Sequence, residues 1–230
     1  MIDKILALGL TALGATMMTK KGGLFIDSDD FLVDGFSAKI DNVLFDFIKE
    51  YEGFRANAYN LGDGKFTIGY GNTIWLKSNG QLERPVRMGD KITEPQARVL
   101  MERFYITMKP ALDNILRSKE LKISNRAYQM ILRFLYGTGF WVLGKNEFQN
   151  MLIRLDGNLD SEYISDLMKS EFIRVLKTVK YNKPCDKKGN YFGYACYGLG
   201  WSRWVYALTM YVKGTFVSKS QADILIKNAY

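Results

Sequence analysis

An α+β fold is what this 230-residue sequence predicts, on three observations. Most of the chain carries apolar residues at helical spacing. One run, Lys65–Gly71, alternates with period two instead. The composition, 47% hydrophobic and 24% charged, is that of a globular chain with ample apolar material for a core. The expected arrangement is a small lobe with a short antiparallel sheet and a larger helical lobe.

In chain order, the first element is Ile5–Met18, an uncharged stretch rich in Leu, Ala and Gly between Lys4 and Lys20-Lys21. Fourteen residues fall short of the roughly twenty that span a bilayer. Two readings stay open: a signal peptide or weakly apolar anchor, or a helix packed on the rest of the protein. The domain reading is an apolar segment over 1–23, a connector over 24–39 and one folded unit over 40–230.

From Ile40 to Tyr51, the residues Ile40, Val43, Leu44, Phe47, Ile48 and Tyr51 mark one face of a 3.6-residue period. Glu52 falls four residues after Ile48 and extends that stripe, whereas Glu50 points to solvent. A carboxyl at the edge of an apolar face loses hydration, which favours its protonated form near neutrality. On helix geometry alone, a charged residue ending a helix on the surface is the favoured reading. Gly62-Asp63-Gly64 is the expected turn into the alternating run. There Phe66, Ile68 and Tyr70 face one side, and Thr67, Gly69 and Gly71 the other. That second face is one hydroxyl followed by two absent side chains, which suits either a bulge or the close approach of a ligand.

Beyond it, Thr93-Glu94-Pro95-Gln96 reads as a capping box with proline in the first turn. Ala97, Leu100, Met101, Phe104, Tyr105 and Met108 follow at helical spacing up to Pro110. Ala127, Met130, Ile131, Phe134 and Leu135 make another buried face. Further helices are expected over 147–155, 161–179, 201–212 and 218–228, with loops over 111–126 and 180–197.

The residue inventory narrows the chemistry. With no histidine, Ser-His-Asp and Cys-His catalysis are excluded. Two cysteines and no histidine leave no conventional zinc site, so no metal and no cofactor are expected. Carboxylate chemistry remains. Cys185 and Cys196 bracket a polar loop and are read either as a disulfide suited to an extracytoplasmic location or as two buried thiols. The formal net charge of +8 suits an anionic partner or simply a solvated basic surface. The basic residues are dispersed and no nucleic-acid motif is present, so no nucleic-acid partner is expected.

The stretch Glu52–Thr73, EGFRANAYNLGDGKFTIGYGNT, resembles the catalytic corner of the phage-type lysozymes, whose pattern is close to E-G-x-R-x-x-A-Y-x-D-x-x-G-x-x-T-I-G-Y-G-H-T. Glu52, Gly53, Arg55, Ala58, Tyr59, Gly64, Thr67, Ile68, Gly69, Tyr70, Gly71 and Thr73 match without a gap. Gly89–Glu94, Phe134–Gly139 and Tyr197-Gly198-Leu199 with Arg203 are similar, in order, to later family elements. The chain departs from the pattern at Leu61, where the family has its second carboxylate, at Asn72, where it has histidine, and at Gly137, where it has asparagine.

The resemblance implies a lysozyme-like fold with a cleft between the lobes, and a peptidoglycan-cleaving muramidase. Glu52 would be the general acid, Thr67 would position water or a sugar hydroxyl, and Asp63 would stand in for the carboxylate missing at Leu61. Tyr70, Gly71 and Arg203 would bind substrate, with Arg203 pairing with or orienting Glu52. Two alternatives accompany it: a lytic transglycosylase using Glu52 alone, as some related phage endolysins do, and a wall-binding or virion protein that has lost turnover. The implied setting is the host periplasm and cell wall during phage lysis, or the virion. Bacterial peptidoglycan is the implied partner of a monomer, with transient membrane or virion contact through residues 1–23.

Overall fold

The computed structural model describes residues 30–60, 64–178 and 199–227. The segment 1–23, the turn with Leu61 and Asp63, and the two cysteines lie outside those residues.

The first helix, α1 (Asn42–Glu52), begins at Asp41, whose side chain accepts a hydrogen bond from the Val43 N–H, satisfying one of the orphan donors of the first turn. It buries Leu44, Phe45, Phe47, Ile48 and Tyr51. Phe47 stacks on Tyr51 at 4.5 Å. The Tyr51 hydroxyl donates to the Val217 carbonyl, so the end of the helix is pinned to a distant part of the chain. Glu52 is the last helical residue, and Gly53 caps it with φ +70°.

The chain then enters a hairpin of β2 (Arg55–Asn60) and β3 (Phe66–Gly69), antiparallel, with Tyr59 opposite Thr67 and Arg55 opposite Gly69. The preceding short strand, β1 (Leu32–Val33), pairs with β6 (Ile123–Ser124). Strand β3 is shorter than the alternation predicts. The Ile68 N–H donates to the Asn72 carbonyl and the Asn72 N–H to the Ile68 carbonyl, at 2.9 and 3.0 Å. Gly69-Tyr70-Gly71 therefore forms a tight turn, not two more strand positions. Gly69 at φ +64° and Gly71 at φ +94° supply a backbone that side-chain-bearing residues rarely adopt.

A second hairpin, β4 (Ile74–Leu76) with β5 (Leu82–Pro85), is not evident from the sequence pattern. One carboxylate ties it down. Asp90 accepts a fork from Arg84 at 2.7 and 3.1 Å, the Trp75 indole N–H at 2.9 Å and the Arg87 N–H at 2.9 Å. Those donors hold the Asp90 carboxyl well below the usual carboxylate range, the Arg84 hydrogen bond first among them. A depressed folded value stabilises the fold above the unfolded value of about 3.9 and is lost as pH falls below it. Thermal melts from pH 5 downward are expected to show a steeper loss of stability for the wild type than for Asp90→Asn; identical slopes would contradict this.

The helical part starts at α2 (Glu94–Ser118). Its N-cap Thr93 forms the expected reciprocal box with Gln96. The helix runs through Pro110 to Ser118, so residues 111–118 are helical and not loop. An interior proline costs about 3 kcal/mol, but Pro110 lies on the exposed side while Met108, Leu112 and Leu116 continue the buried stripe. Burying each such side chain returns roughly 1.5–3 kcal/mol. Asp113, also buried, accepts from the Tyr128 hydroxyl at 2.7 Å and from Lys109.

Next come α3 (Asn125–Thr138), a 3₁₀ turn (Phe140–Gly144), α4 (Asn146–Leu155), α5 (Ser161–Thr178), α6 (Leu199–Val212) and α7 (Lys219–Lys227). Helix α3 is the central element: ten of its fourteen residues are buried. Phe134 stacks face to face on Phe172 of α5 at 3.9 Å. The expected α+β architecture is what the structure shows, with helices predominating and the strands paired two by two. Among the described residues no helix is long and apolar enough to cross a membrane.

Candidate active site

Three elements converge on the Glu52 carboxylate. Helix α1 delivers it at its C-terminal end, β3 brings its terminal turn across it, and α3 lies behind. The side chain is 31% exposed, a rim position more open than the stripe alone suggests, because Gly53 turns the chain out of the helix immediately after it. A Cβ on Gly71 would lie 3.5 Å from Glu52 Oε2 and 3.8 Å from Cδ. The absent side chain there leaves the space beside the carboxylate empty.

From behind, Arg133 Nη2 donates to Glu52 Oε1 at 2.5 Å. The Arg133 side chain is 1% exposed. Its guanidinium lies 5.9 Å from the Phe47 ring centroid and 5.5 Å from that of Tyr136, distances at which a desolvated cation gains from the ring faces. Tyr136 stacks on Tyr105 at 5.4 Å. Its hydroxyl donates to the Tyr70 carbonyl at 2.7 Å and lies 3.3 Å from Asn72 Oδ1. Burial raises the Tyr105 and Tyr136 phenols far above their ordinary value. Tyr59, half-buried, is raised for the same reason. All three phenols feel the Glu52 charge, and all three stay neutral at physiological pH.

The other sequence-predicted residues are distributed as follows. Thr67 is 6% exposed in the middle of β3, opposite Tyr59. Tyr70 is buried and its hydroxyl donates to Glu94 Oε1 at 2.6 Å, so it lines the site through its backbone carbonyl. Gly71 sits against the carboxylate. Asp63 lies outside the described residues, and Arg203 lies on α6 with its side chain outside them. The assignment of Arg203 to Glu52 therefore falls outside the described residues; among those described, Arg133 pairs with that carboxylate.

Arg133, Tyr136 and Tyr105 are contributions that the sequence reading did not assign to the site. A signal for the first is present in Met130-Ile131-Leu132-Arg133-Phe134-Leu135-Tyr136: a cation inside an otherwise apolar helical run must find a buried counter-charge. Among the described residues there is no cluster of metal-ligating side chains.

Residues 49–161 match the Phage lysozyme family. No curated protein matches the chain. Among solved structures it is similar to the endolysin from Escherichia coli O157:H7 phage FAHEc1, at 17% identity and TM-score 0.51, over 78% of this chain and 97% of that one. It is also similar to the muramidase domain of SpmX from Asticaccaulis excentricus, at 17% identity and TM-score 0.49, over 79% and 99%. A third likeness is to a mutant of P22 lysozyme, at 16% identity and TM-score 0.44, over 75% and 98%.

Proposed function

We propose, on the premise that this chain belongs to the phage lysozyme family through residues 49–161, that it cleaves the bond between N-acetylmuramic acid and N-acetylglucosamine with Glu52 as general acid. At the level of the family it is a glycoside hydrolase of the muramidase class that degrades peptidoglycan. One observation carries the finer reading: a rim carboxyl inside the family match, held on one oxygen by a buried arginine and open beside the other. Glycosidic cleavage needs a fixed acid next to the leaving oxygen.

Thr67 then positions water or a sugar hydroxyl, and Asp63 serves as the second carboxylate. Leu61 can neither stabilise an oxocarbenium ion nor activate water, which is what favours the second reading, a transglycosylase in which the sugar's own hydroxyl attacks. Substrate contact falls to Gly71, to the backbone at Tyr70 and to Arg203. Wall degradation from the periplasmic side, as a monomer, follows from the same reading.

Mass spectrometry of the glycan products separates the two chemistries. Hydrolysis is expected, giving ordinary reducing ends, with Asp63→Asn reducing the rate by orders of magnitude. Anhydro-ended products together with a mild Asp63→Asn would replace hydrolysis by transglycosylation. No product at all from pure protein on susceptible wall would make the chain a binding module on an enzyme fold.

A further inference from the structure

We propose that Arg133 is the positioning residue of the acid: it immobilises Glu52 Oε1 from inside the core, so that Oε2 is the oxygen that hands its proton to the substrate. This rests on the muramidase reading above and assigns the two carboxyl oxygens different work.

The geometry distinguishes the oxygens. Oε1 is engaged by Nη2 at 2.5 Å, and the guanidinium that engages it is fully buried. Oε2 faces Gly71, where the absence of a side chain leaves room. A proton carried on Oε2 can therefore reach a glycosidic oxygen, and one on Oε1 cannot without displacing the arginine. As the bond to the leaving sugar breaks, the Oε2 proton passes to the leaving oxygen and Glu52 becomes a carboxylate. Arg133 then faces a full negative charge, and the charge-assisted bond strengthens as the transition state is approached.

Arg133 is itself fixed. The ring centroids of Phe47 of α1 and Tyr136 of α3 lie 5.9 and 5.5 Å from its guanidinium, and Tyr136 is tied to the turn that carries Gly71 through the Tyr70 carbonyl. The same helix therefore sets the distance between the acid and the space in front of it. Among the described residues, the groups that face Glu52 are Arg133 and Tyr136 from α3, Tyr105 from α2 and Tyr59 from β2, with Arg55 stacked 4.4 Å over the Tyr59 ring. The phenols are neutral, so among the described residues the charge in direct contact with the carboxyl is that of Arg133.

The test uses the full chain on soluble, uncross-linked glycan strands. Arg133→Met is expected to lower kcat by about 10²-fold, the scale of a misplaced reacting group, with KM little changed. Arg133→Lys keeps the charge without the planar fork and should recover part of kcat, again with KM little changed. Wild-type kcat in Arg133→Met, or a loss that Arg133→Lys does not ease, overturns the proposal. If that variant does not fold, Arg133→Gln takes its place with the same two outcomes. Wild-type protein that leaves the strands intact refutes the muramidase reading instead.

Discussion

Glu52→Gln is expected to abolish glycan cleavage, with a loss of about 10²–10⁴-fold, the range typical of a removed general acid. Glutamine has the same shape and still offers an oxygen to Arg133 Nη2, so the geometry of the junction survives while the transferable proton does not. The cost to stability is set by the buried cation that loses its counter-charge. Orphaning one partner of a fully buried pair costs roughly 3–5 kcal/mol. Glu52 is 31% exposed and its replacement still accepts a hydrogen bond, so the expected cost lies below that range. Turbidity loss of a wall suspension, paired with a thermal melt, measures both effects. A folded Glu52→Gln protein that clears wall at the wild-type rate would remove Glu52 from the mechanism.

The second large effect is expected at Gly71. Alanine there meets two penalties with different readouts. Its φ of +94° is a backbone state that costs a side-chain-bearing residue about 1–3 kcal/mol. Its new methyl would stand 3.5 Å from Oε2, in the space that the proposed mechanism gives to the leaving oxygen. Displacing a reacting group by about an ångström can cost on the order of 10²-fold in rate. Gly89→Ala separates the two. Gly89 has φ +87°, and a methyl added there would meet nothing within 4 Å, so it shares the strain without the obstruction. Gly71→Ala should lose both stability and turnover, Gly89→Ala stability alone. Equal turnover in the two variants would show that the space beside Oε2 is not where substrate lies.

The parts of this fold that the sequence discloses are those written in local periods. The α1 stripe ends at Glu52 in the chain as in the pattern, and Thr93–Gln96 caps α2 because both partners of the box lie within four residues. The misreadings have non-local causes. Residues 111–118 look like a loop because Pro110 is a local breaker, yet Leu112 and Leu116 find partners that keep the helix going. The β4–β5 hairpin is short and weakly alternating; Asp90, outside both strands, holds it through Arg84 and Trp75. The site divides along the same line. Glu52 and Gly71 belong to one short motif. Arg133 lies 81 residues further on, and its placement against Glu52 depends on how α3 packs, which no local period encodes. The family pattern assigns Arg203 to the same carboxylate; that side chain lies outside the described residues, and Arg133 is an arginine the pattern does not include.

Arg133 and Tyr136 are three residues apart on one helix, and each reaches across to a different element, the first to α1 and the second to the turn after β3. Any breathing motion that draws α3 away from those elements must break both bonds together. The widened state has then lost the clamp on its acid along with the wall that faces it. On the reading of Glu52 as the acid, a state with both bonds broken would hold no placed proton donor.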